Sequence, residues 1–89
     1  MKIEVTQKDI DKGIPRDAAK CPIAKALQRQ CPKRGRKWLV NCAEAEAMNK
    51  KDPVDSIDYP LPKKCMRFID DFDKERTVKP FTFELKEPK

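Results

Sequence analysis

Trp38-Leu39-Val40-Asn41-Cys42-Ala43-Glu44-Ala45-Glu46-Ala47-Met48 is the stretch on which the fold turns. Its first half alternates. Trp38, Val40 and Cys42 fall on one side and Leu39 and Asn41 on the other, the period of a half-buried strand. Its second half points two ways. Ala, Glu and Met are helix formers, while the strict alternation from Ala43 to Met48 is that of a strand. The alternation predicts one extended strand continuing from Trp38 through Met48.

Downstream, Asn49-Lys50-Lys51-Asp52-Pro53 has the composition of a turn. Val54 to Tyr59 returns as a short strand, which Pro60 ends. Pro62 opens a helix, where its missing N–H costs nothing. Cys65, Phe68, Ile69 and Phe72 stand at i, i+3, i+4 and i+7 and form its apolar face. Asp70, Asp71, Asp73 and Glu75 crowd its C-terminal end, against the helix dipole. Phe81, Phe83 and Leu85 alternate with Thr82 and Glu84 as a last strand.

Upstream, Ile3 and Val5 alternate with Lys2, Glu4 and Thr6 in a first strand. Thr6 is placed to accept the N–H of Asp9 and start a helical turn, with Gly13 as a left-handed stop. Asp17 and its neighbours read as a turn after Pro15. A helix begins at Pro22, with Cys21 at the N-cap, and runs to about Gln30 with Ile23, Ala24, Leu27 and Cys31 on one stripe. Pro32 closes it. Pro32 to Lys37 is then a basic loop with Gly35 at its tip.

The order is β-α-β-β-α-β with an extra short helix after the first strand. It predicts an α+β chain, a single domain over 1–89, in which two helices cover one face of a four-stranded sheet. The ferredoxin-like sandwich is the best-known form of that order. Expected in the core are Ile3, Val5, Ile23, Leu27, Val40, Phe68, Ile69, Phe72, Phe81 and Phe83, with Trp38 pointing inward.

The chain has 89 residues, 38% hydrophobic and 40% charged. No apolar run approaches the roughly 20 residues that span a bilayer, so no membrane association is expected. The start, Met1-Lys2-Ile3-Glu4-Val5, lacks the apolar core of a signal peptide, which points to the cytoplasm. Histidine is absent, so Ser-His and Cys-His catalysis and mixed Cys/His zinc sites are excluded. The net charge is +6 and unevenly placed. Residues 1–40 hold eleven basic and four acidic side chains, and residues 41–89 ten and eleven. The excess is densest between Arg29 and Lys37, which attracts an acidic protein, a nucleic acid or a nucleoprotein surface. Most of the basic residues are Lys, 15 of 21, and Lys is also the ordinary solubilising residue.

The opening Val5-Thr6-x-x-Asp9-Ile10-Asp11-x-Gly13, then Cys21-Pro22-Ile23-Ala24-x-Ala26-Leu27, resembles that of small uncharacterised proteins encoded in phages and prophages. The closing Leu61-Pro62, Phe68-Ile69-x-x-Phe72-Asp73 and Val78-x-Pro80-Phe81-x-Phe83-x-Leu85 is similar to their ending. These motifs cover about half of the chain and are structural: a cap, a helix start, a helix face and a last strand. The resemblance implies a phage origin, hence the host cytoplasm, and one domain. It assigns no activity to any residue. The basic stretch Lys33 to Lys37 exceeds what that pattern requires.

Four cysteines stand at 21, 31, 42 and 65. Zinc ligands usually come in close pairs, and here there is none, so no metal, disulfide or cofactor is expected. Cys31, Cys42 and Cys65 read as small hydrophobes. Cys21 sits where a helix N-terminus stabilises a thiolate, but no base stands ready to activate it. Neither the 70–75 acids nor Asp52, Asp55 and Asp58 match a cation loop. The best functional feature is the basic run Lys33-Arg34-Gly35-Arg36-Lys37 with Arg29 before it and Trp38 after it. Those five cations are the candidate binding residues, set against the ordinary alternative of a solvated loop. The sequence therefore predicts no enzyme, but a monomer or homodimer that binds a host protein or nucleoprotein without catalysis. Inhibition of a host defence complex, in the manner of anti-CRISPR proteins, is one form of this. The other reading is a nucleic-acid-binding module using the 29–37 loop.

Overall fold

The computed structural model describes residues 1–41, 43–52 and 54–86. Five strands and three helices follow the chain as β1 (Lys2–Val5), α1 (Gln7–Lys12), α2 (Pro22–Gln30), β2 (Arg36–Val40), β3 (Glu44–Asn49), β4 (Ser56–Pro60), α3 (Lys63–Asp73) and β5 (Phe81–Glu84). The α+β class is as expected, but the sheet is not one. β2, β3 and β4 form an antiparallel meander, and β1 pairs only with β5, Ile3 opposite Phe83 and Val5 opposite Phe81. Among the described residues no ladder joins the two sheets, so the single four-stranded sheet of a ferredoxin-like sandwich is not formed.

The expected long strand over 38–48 is corrected to a hairpin. Asn41 reverses the chain. Its side-chain carbonyl accepts the backbone N–H groups of Ala43 and Glu44 at 2.8 and 2.6 Å. Its own N–H donates to the Glu44 carbonyl at 2.9 Å. Cys42 lies outside the described residues. The reversal shifts the parity of the strand. Trp38 stands opposite Ala47 and Val40 opposite Ala45, and all four are buried. A continuous strand would have put Glu44 and Glu46 on the face of Trp38, at the cost of burying charge.

α1 is capped as expected. The Asp9 N–H donates to the Thr6 hydroxyl, and the Thr6 N–H donates to the Asp9 carboxylate at 2.9 Å, a reciprocal capping box. Gly13 is not left-handed; its φ of −70° and ψ of 151° are extended. Glycine is needed there for space, because a Cβ would lie 2.6 Å from Cγ of Pro22. α2 begins at Pro22 as the sequence indicates, with Cys21 Sγ accepting the Ala24 N–H at 3.4 Å. The acids ending α3 are met by cations that follow them. Lys74 lies 3.0 Å from Asp70 and Arg76 3.1 Å from Asp71.

α2 packs against both β1 and β2 and so bridges the two sheets. Its buried residues, Ile23, Ala24, Ala26 and Leu27, join Ile3, Val5, Trp38, Cys65, Phe68 and Phe83 in one connected cluster. Ile69, Phe72 and Phe81 are half-buried against it. Two sheet edges are covered locally. The Gln30 side-chain amide accepts the Glu4 N–H and donates to the Glu4 carbonyl on β1, and the Val40 N–H on β2 donates to the Ala18 carbonyl.

Candidate functional site

The sequence singles out Arg29, Lys33, Arg34, Arg36 and Lys37, and the fold gives them separate duties. Arg36 opens β2, where it is a clasp. Its Nη1 donates to the carbonyls of Ala47 and Asp55 at 2.9 and 3.0 Å, and its Nη2 meets the Asp55 carboxylate at 3.0 Å. It thereby ties β2 to β3 and to the turn before β4. Asn49 and Arg36 hydrogen-bond the Asp55 carboxylate and hold its pKa below the ordinary value, Asn49 with the larger effect. Arg29 stands in the last turn of α2 and is drawn to the other sheet. Its Nη2 lies 2.6 Å from the Asp9 carboxylate and 3.3 Å from the Glu4 carbonyl.

Lys33 is half-committed. Its ammonium sits 5.5 Å from the centre of the Tyr59 ring, and hydrogen bonding to the Tyr59 hydroxyl raises its pKa, so it stays charged. Tyr59 in turn packs on Trp38, their ring centres 5.2 Å apart. Trp38 is buried and donates its indole N–H to the Cys31 carbonyl at 2.8 Å, so it is core and offers no stacking surface. Arg34 and Lys37 are exposed and have no hydrogen-bond or ion-pair partner among the described residues.

The turn that carries them is fixed by backbone bonds. Gly35 has φ of +75°, open to glycine without strain. The Arg36 N–H closes on the Lys33 carbonyl at 2.9 Å, and the Gly35 carbonyl accepts the Lys50 N–H at 2.9 Å. That last bond brings in the β3–β4 turn, where the Asn49 side chain accepts the N–H groups of Lys51 and Asp52 at 2.9 and 3.3 Å. Lys50 and Lys51 are exposed there, and Val54 at the same turn is 91% exposed. One end of the three-stranded sheet therefore presents Lys33, Arg34, Lys37, Lys50 and Lys51, with Arg36 neutralised by Asp55. Sequence reasoning missed Lys50 and Lys51 because only the meander register sets them beside Gly35; the signal available was the turn composition of 49–53.

Cys21 and Cys65 are buried free thiols. Burial pushes the Cys21 thiol up, outweighing the hydrogen bonds from the Ala24 and Ile23 backbone that lower it. This reverses the thiolate expected of a helix N-terminus. Burial likewise pushes Cys65 up to about 12. Among the described residues no three His, Cys, Asp or Glu side chains are grouped to hold a metal. No described helix is long and apolar enough to cross a membrane.

No family model, no curated protein and no solved structure matches this chain.

Proposed function

We propose that this is a non-catalytic binding protein that grips an anionic host partner, a protein or nucleoprotein complex, through the basic end of its three-stranded sheet. The observation that carries the reading is the set Arg34, Lys37, Lys50 and Lys51, exposed and without acid partners among the described residues, on turns pinned by backbone hydrogen bonds. The hydrogen-bonded backbone fixes where these cations project, so binding orders their side chains but not the turns that carry them. The resemblance of the chain's two ends to phage-encoded proteins supports a host target. Interference with a host defence complex that holds nucleic acid, CRISPR effectors among them, is the concrete form of the proposal.

A nucleic-acid-binding module is the second reading, favoured by the same exposed cations. Capture from host lysate with and without nuclease treatment separates the two. A partner retained after nuclease is protein, and one lost with it is bound through nucleic acid. Arg34→Ala with Lys37→Ala weakens capture in either case, by roughly 1–3 kcal/mol at about 0.5–1.5 per charge-assisted contact. Unchanged capture by that double variant removes the patch from the function.

A further inference from the structure

A second concentration of positive charge lies away from the sheet end, in the groove between α1 and α2. Each helix turns two cations four residues apart into it: Lys8 and Lys12 from α1, Lys25 and Arg29 from α2. Residues at that spacing share one helix face. The groove has a volume of about 350 Å³, and Asp9 and Gln28 complete its lining. Asp9 is its one acid, and it is spent. Its carboxylate accepts from the Thr6 N–H and hydroxyl and from Arg29, with only 8% of the side chain exposed. Lys8, Lys12 and Lys25 have no hydrogen-bond or ion-pair partner among the described residues. Arg29 makes both of its contacts through Nη2, so its other donors are held in place at the groove without a partner there.

We propose that this groove is a contact site for the phosphate backbone of nucleic acid. The lining decides the class of ligand. Four cations face the groove against one carboxylate that is already paired, so a polyanion is the complementary ligand. Phosphate contacts need only placed cations and neutral donors, which Lys, Arg and Gln supply. Three lysines on two helices, unpaired among the described residues, offer contacts to more than one phosphate, which favours a polymer over a single small anion. No aromatic side chain lines the groove, so binding there is indifferent to base sequence. The inference goes beyond the proposed function by naming a second site and the chemistry of its ligand, and it rests on the α1–α2 groove alone.

The test uses the full chain with fluorescein-labelled oligonucleotides, a single strand of about 20 nucleotides and a duplex of the same length, with affinity measured by anisotropy over a range of salt. Three proteins are compared: wild type, the groove variant Lys8→Gln/Lys12→Gln/Lys25→Gln, and the sheet-end variant Arg34→Gln/Lys37→Gln. The expected result is a loss of at least about tenfold in the groove variant. Its slope of log affinity against log salt becomes shallower by about two to three units, near one per lost phosphate contact. The triple Arg variant at the same three positions keeps wild-type binding. The oligonucleotide that binds more tightly identifies single strand or duplex as the ligand. A groove variant that binds like wild type while the sheet-end variant is weakened overturns the groove and leaves the proposed function standing. Loss in the groove variant alone supports the groove and overturns the sheet end. Failure of wild type to bind either oligonucleotide overturns the groove, and retention of a host protein after nuclease would then leave the function to protein binding. Should the groove variant lose its far-UV circular dichroism, amide shifts of the wild type on adding the oligonucleotide decide. Shifts at 8–12 and 25–29 support the site, and their absence sinks it.

Discussion

Arg34 and Arg36 are two residues apart and look equivalent in the sequence, yet only one is free. Arg36 is 19% exposed and holds two backbone carbonyls and a carboxylate; Arg34 holds nothing among the described residues. Arg36→Ala is therefore expected to lower stability by about 1–2 kcal/mol, since it strips a donor from the partly buried Ala47 carbonyl and breaks the more exposed tie to Asp55. Arg34→Ala stays within about 0.5 kcal/mol. Urea titrations of the two variants check this, and equal midpoints would refute the clasp. The buried thiols give a pH prediction. Cys65 has a folded pKa of about 12 against an ordinary 9.0, and Cys21 is raised in the same sense. The unfolded thiol loses its proton near 9 while the folded one keeps it, so between about 9 and 12 the unfolded state binds fewer protons and stability falls as pH rises. Below that window the contribution is fully present. The urea midpoint of the wild type is expected to fall more steeply from pH 8 to pH 10 than that of Cys65→Ala; parallel curves would remove Cys65 as a cause.

Turns and close approaches decide how the elements meet. The β2–β3 hairpin depends on Asn41, whose side chain caps two N–H groups. Asn41→Ala is expected to cost about 1–2 kcal/mol in thermal unfolding, close to the worth of two local hydrogen bonds. A change below about 0.3 kcal/mol would mean that the ladder alone sets the turn. α1 meets α2 across Gly13, where a Cβ would stand 2.6 Å from Cγ and 2.7 Å from Cδ of the Pro22 ring. Both are parts of a rigid ring, so Gly13→Ala forces a backbone shift worth roughly 1–3 kcal/mol. Pro22→Ala removes the obstacle. The double variant is then less destabilised than the sum of the singles, a coupling a double-mutant cycle measures. Strict additivity would place the strain elsewhere.

Across the whole molecule, α2 is the element that makes two small sheets cooperate. A two-stranded ribbon is marginally stable at best alone in water, and both sheets bury their inner faces against one cluster that contains Leu27. Leu27→Ala is expected to cost about 2–5 kcal/mol and to lower both sheets together. Trp38 fluorescence reports the meander, and hydrogen exchange at Ile3 and Phe83 reports the ribbon. In the variant the two should still unfold in one transition. Separate midpoints would show that the sheets are independent.

Local pattern was enough for the helices and for most strands. The 3.6-residue spacing of Cys65, Phe68, Ile69 and Phe72, the proline at the start of α2, the Thr6–Asp9 cap and the alternation of Phe81 and Phe83 each express a preference satisfied within a few residues. The charge asymmetry was equally legible, and with it the interest of the basic run. The hairpin at Asn41 was within reach, since a continuous strand would have aligned Glu44 and Glu46 with Trp38. Alternation alone cannot register a reversal, because a turn of the right length restores the same period on the opposite parity. Strand pairing was beyond the sequence: β1 and β5 stand at opposite ends of the chain, and their choice of each other is made by the shared burial of Ile3, Val5 and Phe83. The fate of each cation also belongs to the tertiary structure. Whether an arginine clasps a turn, neutralises Asp9 or stays free depends on which carboxylate and carbonyl the fold brings within 3 Å, and hydrogen bonding acts only at that range.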